Sequence, residues 1–455
     1  MMRKMKQWGL CICAFCLMLC AGGCMFNTGE SLYSLPQAPE DYLDLREQLD
    51  QIITGGAEYA APQNGANTQT VQMVDLDGDG IGEVIAFFRE TGKEHPLKIY
   101  IFRQTAEGYK KAAVIAGEGT AINSIVYGDI TGDDWSEVVV SWQMSAKVQS
   151  MAVYSLKQFE VVQMMQTEYT KYIMSDLNRD GKAEIIALHL DTSETGSRAS
   201  YYAYEGEALV LMDSAPLSVD VSEISKVKAG LLYDGTPALF VDSLFQKGGM
   251  VTDLLAIVDG SFQNMTMDQE SGTSSATVRT YAVYCSDLDG DGYLEVPSPE
   301  RLPYTGKASS GGGADVSWII HWNLYDREGL VRRLVTTYHN YADGWYLRLP
   351  QAWVEKGLVV SREDVVAGER VIVFSMRTGT ESYLPFLKIY KLTGANREDR
   401  AKIDGRFLLR RDSSASDTLY VAEFLNADRT GAYHLEQETL ISLFHLIQPD
   451  WNTES

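Results

Sequence analysis

Short apolar runs, many of them alternating with polar residues and separated by turn residues, fill most of the chain between residues 66 and 425. In the first group, these runs cover roughly residues 68–75, 83–89, 97–103 and 109–115. Apolar–polar alternation between turns rich in Gly, Asn and Asp is typical of antiparallel strands. The pattern therefore predicts four short strands in this group.

Similar groups follow one another along the chain about six times. Repetition of a four-stranded unit is the signature of a β-propeller, in which each unit forms one blade. A single sandwich of this length would need long unstructured loops, which are uncommon. We predict an all-β fold: a β-propeller of about six four-stranded blades, with seven as the alternative, and short N- and C-terminal helices. Closure of the ring would bring residues near 66 and 425 together.

Helical spacing of apolar residues appears only near the two ends of the chain. The segment Pro39–Ile53 is predicted to be a helix, whose apolar face comprises Tyr42, Leu45, Leu49 and Ile52. After strands near 405–411 and 418–425, a second short helix is predicted to end before Pro449. Its apolar face comprises Leu440, Leu443, Phe444 and Ile447. Residues 344–368 are interpreted as an insertion between the fifth and sixth repeats.

Four repeats begin with an acidic loop that has oxygen side chains at positions 1, 3, 5 and 9. The first loop, VDLDGDGIGEV, starts at Asp75, and the others start at Asp129, Asp176 and Asp287. Carboxylates that converge from a tight turn suit calcium, which takes six to eight oxygen ligands. Gly80 at position 6 permits the sharp turn, because glycine adopts positive φ without a steric penalty.

The loop starts are 54, 47 and 111 residues apart, and the last gap is long enough for two repeats. A degenerate copy is accordingly predicted near residue 230, where Asp234 and Gly235 retain positions 5 and 6. A sixth copy has lost its loop, but RTGTESYLPFLKIY (Arg377 to Tyr390) still echoes RETGKEHPLKIY (Arg89 to Tyr100).

The first 24 residues are predicted to be a targeting signal rather than part of the fold. Arg3, Lys4 and Lys6 precede an apolar stretch that is shorter than the roughly 20 residues a membrane-spanning helix needs. The sequence Ala-Gly-Gly-Cys that ends at Cys24 resembles the bacterial lipobox, which implies lipidation of Cys24 and display on the outer face of the cell membrane. The alternative is an ordinary secretion signal.

Charge and cysteine content agree with export. Without the three basic residues of the signal, 36 basic residues face 62 acidic ones, a net charge of −26. Such a chain is not expected to bind nucleic acid by neutralising phosphates. Cys285 is the only cysteine after Cys24. If Cys24 is acylated, no intramolecular disulfide can form, so stability must come from the core and from metal.

The acidic loops resemble those of the FG-GAP and VCBS repeat propellers, the superfamily that includes the integrin α-chain head. The shared pattern is D-x-D-x-D-G-x-x-D/E followed by an apolar strand. The resemblance covers about residues 66–412 and implies calcium bound in the hairpin between the first two strands of a blade. The residues that would form these metal sites are Asp75, Asp77, Asp79, Ile81 and Glu83; Asp129, Thr131, Asp133, Trp135 and Glu137; Asp176, Asn178, Asp180, Lys182 and Glu184; and Asp287, Asp289, Asp291, Tyr293 and Glu295.

The second loop departs from the pattern, because Thr131 replaces an acid and Asp134 replaces the glycine at position 6. Two other interpretations of the loops fail: an EF-hand needs a glutamate at position 12 and flanking helices, and dockerin-like repeats would recur at about half this spacing. A third interpretation, Asp-Gly hairpin turns without metal, stays open.

Catalytic signatures such as HExxH, GxSxG and Walker-type loops are absent from the sequence. We therefore expect a non-enzymatic module that binds a protein or glycan; the alternatives are an extracellular hydrolase or lyase, and an envelope assembly or structural factor.

In the fifth repeat, alternation of Trp318, Ile320, Trp322 and Leu324 predicts that these side chains are part of the core, with a sugar-stacking face as the alternative.

The chain thus divides into a lipoprotein signal peptide (1–23), a tether (24–39), an N-terminal helix with its lead-in (40–65), the propeller (66–425) and a C-terminal helix (426–455).

Overall fold

The computed structural model describes residues 40–190, 196–303, 317–363, 369–380, 382–413, 417–425 and 433–447. Within them, the chain forms six antiparallel sheets that follow one another in sequence, as the repeats predicted for an all-β propeller. The predicted signal peptide and Cys24 lie outside the described residues.

The first three sheets come from the first half of the chain. The first contains β1 (Ala57–Tyr59), β2 (Val71–Val74), β3 (Glu83–Glu90), β4 (Leu97–Thr105) and β5 (Gly108–Gly117); both β1 and β2 pair with β3. The second contains β6 (Ala121–Gly128), β7 (Glu137–Gln143), β8 (Gln149–Ser155) and β9 (Val162–Tyr169). The third contains β10 (Lys171–Ser175), β11 (Glu184–His189), β12 (Arg198–Glu205) and β13 (Ala208–Pro216).

The other three sheets follow. The fourth contains β14 (Val221–Leu231), β15 (Pro237–Phe245), β16 (Met250–Val258) and β17 (Ser261–Asn264). The fifth contains β18 (Val296–Arg301), β19 (Trp318–Tyr325), β20 (Val331–Asn340), β21 (Trp345–Leu349) and the distant β27 (Phe444–Leu446). The sixth has the strand order β22 (Leu358–Glu363), β23 (Glu369–Arg377), β24 (Tyr383–Leu392), β26 (Thr418–Phe424) and β25 (Arg406–Asp412).

In the described residues, four α-helices lie outside the sheets: α1 (Glu40–Thr54), α2 (Gln351–Glu355), α3 (Arg397–Ala401) and α4 (Gln437–Leu443). Short 3-10 helices cover Lys157–Phe159 and Ser275–Thr277. In the part of the chain that the structure describes, no helix is long and apolar enough to cross a membrane.

The core consists of layers between successive sheets. Val138 and Val140 of β7 pack toward the first sheet with Ile85, whereas Val139 packs toward the third sheet with Ile185. Similar clusters join the third sheet to the fourth, the fourth to the fifth, and the fifth to the sixth. Side chains alternate across a strand, so a strand buried on both faces must be apolar throughout. This explains the apolar runs after the first three acidic loops.

Helices cover the outer faces of the first and last sheets. Leu45 and Leu49 of α1 pack with Phe88 on the first sheet, and Ala401 of α3 packs against the apolar face of the sixth. The predicted N-terminal helix is thereby confirmed, and its apolar side is the one that contacts the sheet. Contact between residues near 66 and 425 stays a prediction.

The interpretation of residues 344–368 as an insertion was wrong. Trp345 begins β21, which pairs with β20, and Leu358 begins the first strand of the sixth sheet. Only α2 and its flanking turns lie between these two strands. Trp345 and Trp353 are both buried in the layer between the fifth and sixth sheets. Two large indole side chains in one segment thus mark a core layer.

The C-terminal helix is shorter than its apolar spacing predicted. It ends at Leu443, and Phe444 starts β27, which pairs with β21. The ring of Phe444 packs against Trp345, with the ring centroids 5.4 Å apart. Phe444 is 2 % exposed, so the strand and the helix bury one continuous apolar face. The spacing of apolar residues is compatible with a longer helix and with a helix followed by a strand. The sequence could not decide between them, because the partner of the strand lies about 100 residues away.

Strand β19 confirms the core prediction for three of its four alternating residues. Ile320, Trp322 and Leu324 are buried, and Trp322 Nε1 donates to Thr337 Oγ1 at 2.8 Å. The residues between them are buried too, because sheets pack on both faces. Trp318, at the start of the strand, is only half-buried and lines a cavity.

Candidate metal centre

The first three acidic loops each lead into a buried strand of their sheet. Loop one (75–83) connects β2 to β3, loop two (129–137) connects β6 to β7, and loop three (176–184) connects β10 to β11. Loop five (287–295) precedes β18, and an isolated bridge between Ser286 and Glu295 takes the place of a first strand. The hairpin between the first two strands of a sheet is where the sequence resemblance put these loops.

The aspartate at position 1 folds the loop around its own carboxylate. In loop one, Asp75 Oδ1 accepts from Gly78 N at 2.9 Å, and Asp75 Oδ2 accepts from Gly80 N at 3.0 Å. Asp287 does the same in loop five, with amides of positions 4 and 6 at 2.6 and 2.9 Å. Short acidic side chains favour such turns because they bond nearby backbone N–H groups. The first candidate ligand is therefore oriented by the loop itself.

The carboxylate at position 5 accepts from the amide of position 7 in all four loops. These contacts join Ile81 N to Asp79 at 2.7 Å, Trp135 N to Asp133 at 3.1 Å, Lys182 N to Asp180 at 2.9 Å and Tyr293 N to Asp291 at 2.9 Å. None of the side chains at position 7 is an oxygen ligand of the kind that calcium takes in such loops. Those residues can take part in metal binding only through their backbone carbonyl groups.

Position 6 requires a left-handed backbone. Gly80, Gly181 and Gly292 have φ between +85° and +88°, which glycine adopts at no steric cost. Asp134 occupies the same position in loop two at φ 69°. Asp and Asn tolerate this region better than other non-glycine residues. The second loop therefore keeps the turn even though it has lost the glycine.

The glutamate at position 9 is a buried anchor. Glu83, Glu137, Glu184 and Glu295 are each at most 3 % exposed. Each accepts from the backbone N–H of position 2 at 2.8–2.9 Å. The residue at position 2 is a buried Leu or Ile in every loop: Leu76, Ile130, Leu177 and Leu288. One glutamate oxygen thus holds the loop to the sheet and the other can face the aspartates.

Three loops each bring acidic oxygens close enough together to hold a metal ion. The groups are Asp75, Asp77 and Glu83 in loop one; Asp176, Asp180 and Glu184 in loop three; and Asp287, Asp289 and Asp291 in loop five. Within each group, the ligand atoms lie within 4.8 Å of one another. Asn178 contributes an amide to loop three, and its Nδ2 donates to Asp180 Oδ2 at 3.1 Å. No such group forms in loop two among the described residues.

Buried negative charge at these loops fits a cation. Burial raises the pKa of Glu83 to about 7, and Asp77 and Asp79 add to the shift. In loop five, burial raises the pKa of Glu295 to about 8, again with a contribution from the neighbouring aspartates. Glu295 Oε1 is buried and has no hydrogen-bond partner among the described residues. A divalent ion beside these oxygens would offset both the burial and the mutual repulsion.

Loop two carries a cation of its own. Lys157, from the 3-10 helix after β8, places its ammonium 2.7 Å from Asp133 Oδ2. This hydrogen bond lowers the pKa of Asp133 and raises that of Lys157. Trp135 packs edge-on against Phe159 of the same helix, with the ring centroids 5.6 Å apart. The loop that departs from the acidic pattern is thus joined to a lysine.

In the degenerate fourth loop, a basic side chain also lies beside the remaining aspartate. Asp234 keeps the position-5 contact, accepting from Thr236 N at 3.0 Å, and Gly235 keeps a positive φ. Ala238 occupies the place of the buried glutamate. Arg327 lies 3.7 Å from Asp234. In the described residues, by contrast, no salt bridge reaches the acids of loops one, three and five.

Replacing Lys157 by Met should make loop two depend on calcium. The variant leaves Asp129, Asp133 and Asp134 without their nearby cation, so metal binding becomes the remaining way to offset their repulsion. We expect a larger calcium-induced rise in melting temperature than in the parent chain, measured by calorimetry with calcium and with chelator. Lys147→Met, in an exposed turn of the same sheet, is the control. An unchanged calcium response would show that Lys157 does not substitute for metal.

Sequence reasoning missed two features of these loops. The apolar residue at position 2 was visible, since Leu or Ile follows the first aspartate in all four loops. Its role as the partner of the buried glutamate required the hydrogen bonds. Lys157 and Arg327 could not have been found by spacing, because they lie 24 and 93 residues from the carboxylates they contact.

Comparison with known proteins agrees with this architecture. Residues 75–140 match the family model of the FG-GAP-like repeat. The match starts at the first aspartate of loop one and ends within β7, so it covers strands β3 to β6 and the first two acidic loops. Together with the six successive antiparallel sheets, it fits an FG-GAP β-propeller. A search of curated proteins gives no match.

Among solved structures, the crystal structure of Saccharomyces cerevisiae Sqt1 is similar at 11 % sequence identity. The similarity covers 78 % of this chain and 98 % of that chain, with a TM-score of 0.30. At this TM-score, the similarity supports no conclusion about the fold or function of this chain.

Proposed function

We propose that this chain is a calcium-binding β-propeller that is lipid-anchored outside the cytoplasm and binds a protein or glycan ligand. The observation that carries the proposal is the set of three loops with converging acidic oxygens, each built on the same hydrogen-bond network. FG-GAP propellers serve as binding modules, and the fold alone does not choose the ligand.

Calcium is the ion that suits these loops best. All candidate side-chain ligands are hard oxygen donors, and histidine and cysteine are missing from the three groups. Soft or borderline metals such as zinc prefer nitrogen and sulfur ligands. Magnesium needs a tight octahedral shell, whereas calcium accepts irregular oxygen sets. An extracytoplasmic location would also supply calcium.

The anchor rests on the N-terminal sequence. Small residues precede Cys24, and a polar tether follows it. Acyl chains at Cys24 would hold the protein at the membrane despite a net charge that anionic lipids repel. Because the acidic body has no attraction of its own to that surface, the lipid would be the only anchor.

Replacing Cys24 by Ser should therefore release the protein into the medium or leave an unprocessed precursor. The measurement is membrane fractionation of the host with immunodetection. Cys285→Ser, which changes the buried cysteine, is the control and should stay in the membrane fraction. Normal processing with full membrane retention of Cys24→Ser would rule out the lipid anchor.

Binding arrays of cell-wall glycans and of extracytoplasmic proteins, run with calcium and with chelator, test the binding role. We expect binding that falls when calcium is removed, because the loops would then lose their ordering ion. Turnover of a glycan on the array, rather than retention, would favour the hydrolase or lyase alternative instead.

A further inference from the structure

A cavity of about 210 Å³ lies between the fifth and sixth sheets, away from the acidic loops. We call it the seam pocket, defined by Tyr281, Trp318, Tyr341, Asn340 and Arg362. It opens near the start of β19 and the end of β20, whereas loop five precedes β18 at the opposite end of the same sheet. The pocket is therefore independent of the metal loops.

Three half-buried aromatic side chains, Tyr281, Trp318 and Tyr341, are part of its walls. The rings of Tyr281 and Trp318 are stacked, with their centroids 5.1 Å apart and their planes at 13°. Tyr341 stands at 52° to Tyr281, with the centroids 6.3 Å apart. All three side chains are half-buried and line the cavity. Such side chains combine an apolar body with a hydrogen-bonding end.

Fixed polar groups complete the lining. Asn340 is held by a hydrogen bond from its Nδ2 to Asp343 Oδ2 at 2.9 Å. Ser317 donates its hydroxyl to Val360 O at 3.3 Å across the seam between the two sheets. These groups are oriented by the protein and would not need to reorganise to meet a ligand.

Arg362 is the one charged side chain among the described residues that line the pocket. It is exposed and forms no salt bridge with another described residue. His339 also lines the pocket, but burial lowers its pKa to about 3, so it is neutral. On a chain with a net charge of −26, a guanidinium at a pocket rim favours a ligand with a localised negative charge.

We propose that the seam pocket binds one pyranose ring that carries a carboxylate, such as a uronic acid at the end of a glycan. The volume matches about seven water molecules, which is below the usual range for drug-sized ligands and suits a single sugar ring. The C–H face of the sugar lies against Trp318 or Tyr341, its hydroxyl groups meet the polar tips, and its carboxylate meets Arg362. A half-open pocket of this volume favours one ring over an extended peptide. This inference rests on the proposed binding function and names its ligand class.

The test is saturation-transfer NMR on the full mature chain in calcium. The probes are methyl glucuronide, methyl galacturonide and their neutral counterparts, methyl glucoside and methyl galactoside. We expect a uronide to bind with a Kd on the order of 1 mM. Trp318→Ala should abolish that binding, and Trp318→Phe should retain it. Arg362→Gln should weaken uronide binding about tenfold and leave the neutral glycosides unchanged.

Two exposed residues elsewhere provide matched controls: Tyr59→Ala and Arg333→Gln should bind like the parent chain. A normal calcium response of each variant establishes that it is folded. The inference is overturned if neither uronide binds, if Trp318→Ala binds as well as the parent, or if a proline-rich peptide binds and the uronides do not. Glycan-array binding that survives Trp318→Ala would overturn the pocket assignment alone, whereas no array binding by the parent would overturn the glycan role itself.

Discussion

Chelation of calcium should lower the melting temperature of this protein by on the order of 10 °C. A ligand that binds only the folded state stabilises it by about 2.7 kcal/mol at 100 times its dissociation constant, and three loops each contribute such a term. Without metal, the buried Glu83 and Glu295 also lie among aspartates that raise their pKa values. Magnesium should restore little of the loss, because it prefers a tighter octahedral shell.

Calorimetry of single variants divides this effect among the loops. Asp79→Ala, Asp180→Ala and Asp291→Ala should each remove part of the calcium-induced rise. Asp133→Ala should remove less, since Lys157 already neutralises that carboxylate in loop two. A melting curve that ignores both calcium and chelator would reduce the loops to acidic turns.

Replacing Arg279 by Met should lower the free energy of unfolding by about 3–5 kcal/mol. Arg279 lies 2.8 Å from Asp242, and both side chains are 1 % exposed. Arg279 also donates to Thr252 Oγ1 at 2.8 Å and to Val283 O at 2.7 Å. These bonds join the fourth sheet to the segment that enters the fifth. Removing the guanidinium leaves the buried carboxylate of Asp242 without a cation, and an unpaired buried charge strongly destabilises the folded state.

Denaturant unfolding of the variant in calcium measures this loss. The double variant Arg279→Met with Asp242→Asn should be more stable than Arg279→Met alone, because it leaves no uncompensated charge. Arg411→Met, at an exposed ion pair, is the control and should have a far smaller effect. Equal stability of Arg279→Met and the control would mean that the buried pair does not hold the two sheets together.

Local patterns in the sequence were enough to predict the repeats. The motif shared by Arg89–Tyr100 and Arg377–Tyr390 occupies the β3–β4 and β23–β24 hairpins, so a sixth copy without its acidic loop could still be recognised. The sharp turn at position 6 of the loops could also be predicted from glycine, because few other residues tolerate positive φ. These features are encoded within a few residues of one another.

Features that depend on distant partners could not be predicted in this way. Phe444 fits a helical face as well as a strand, and only the pairing with β21 decides between them. Trp318 shares its alternation with the buried Trp322, yet it lies at the strand end where the seam pocket opens. Lys157 reaches loop two from the connection between β8 and β9. In each case the deciding contact is remote in sequence.

Native mass spectrometry of the mature chain, titrated with calcium, tests the central claim most directly. The account predicts three bound ions, one each for loops one, three and five, and two ions for Asp180→Ala, which removes a member of the loop-three group. Binding of no calcium, or the same number of ions in the parent and in Asp180→Ala, would contradict it.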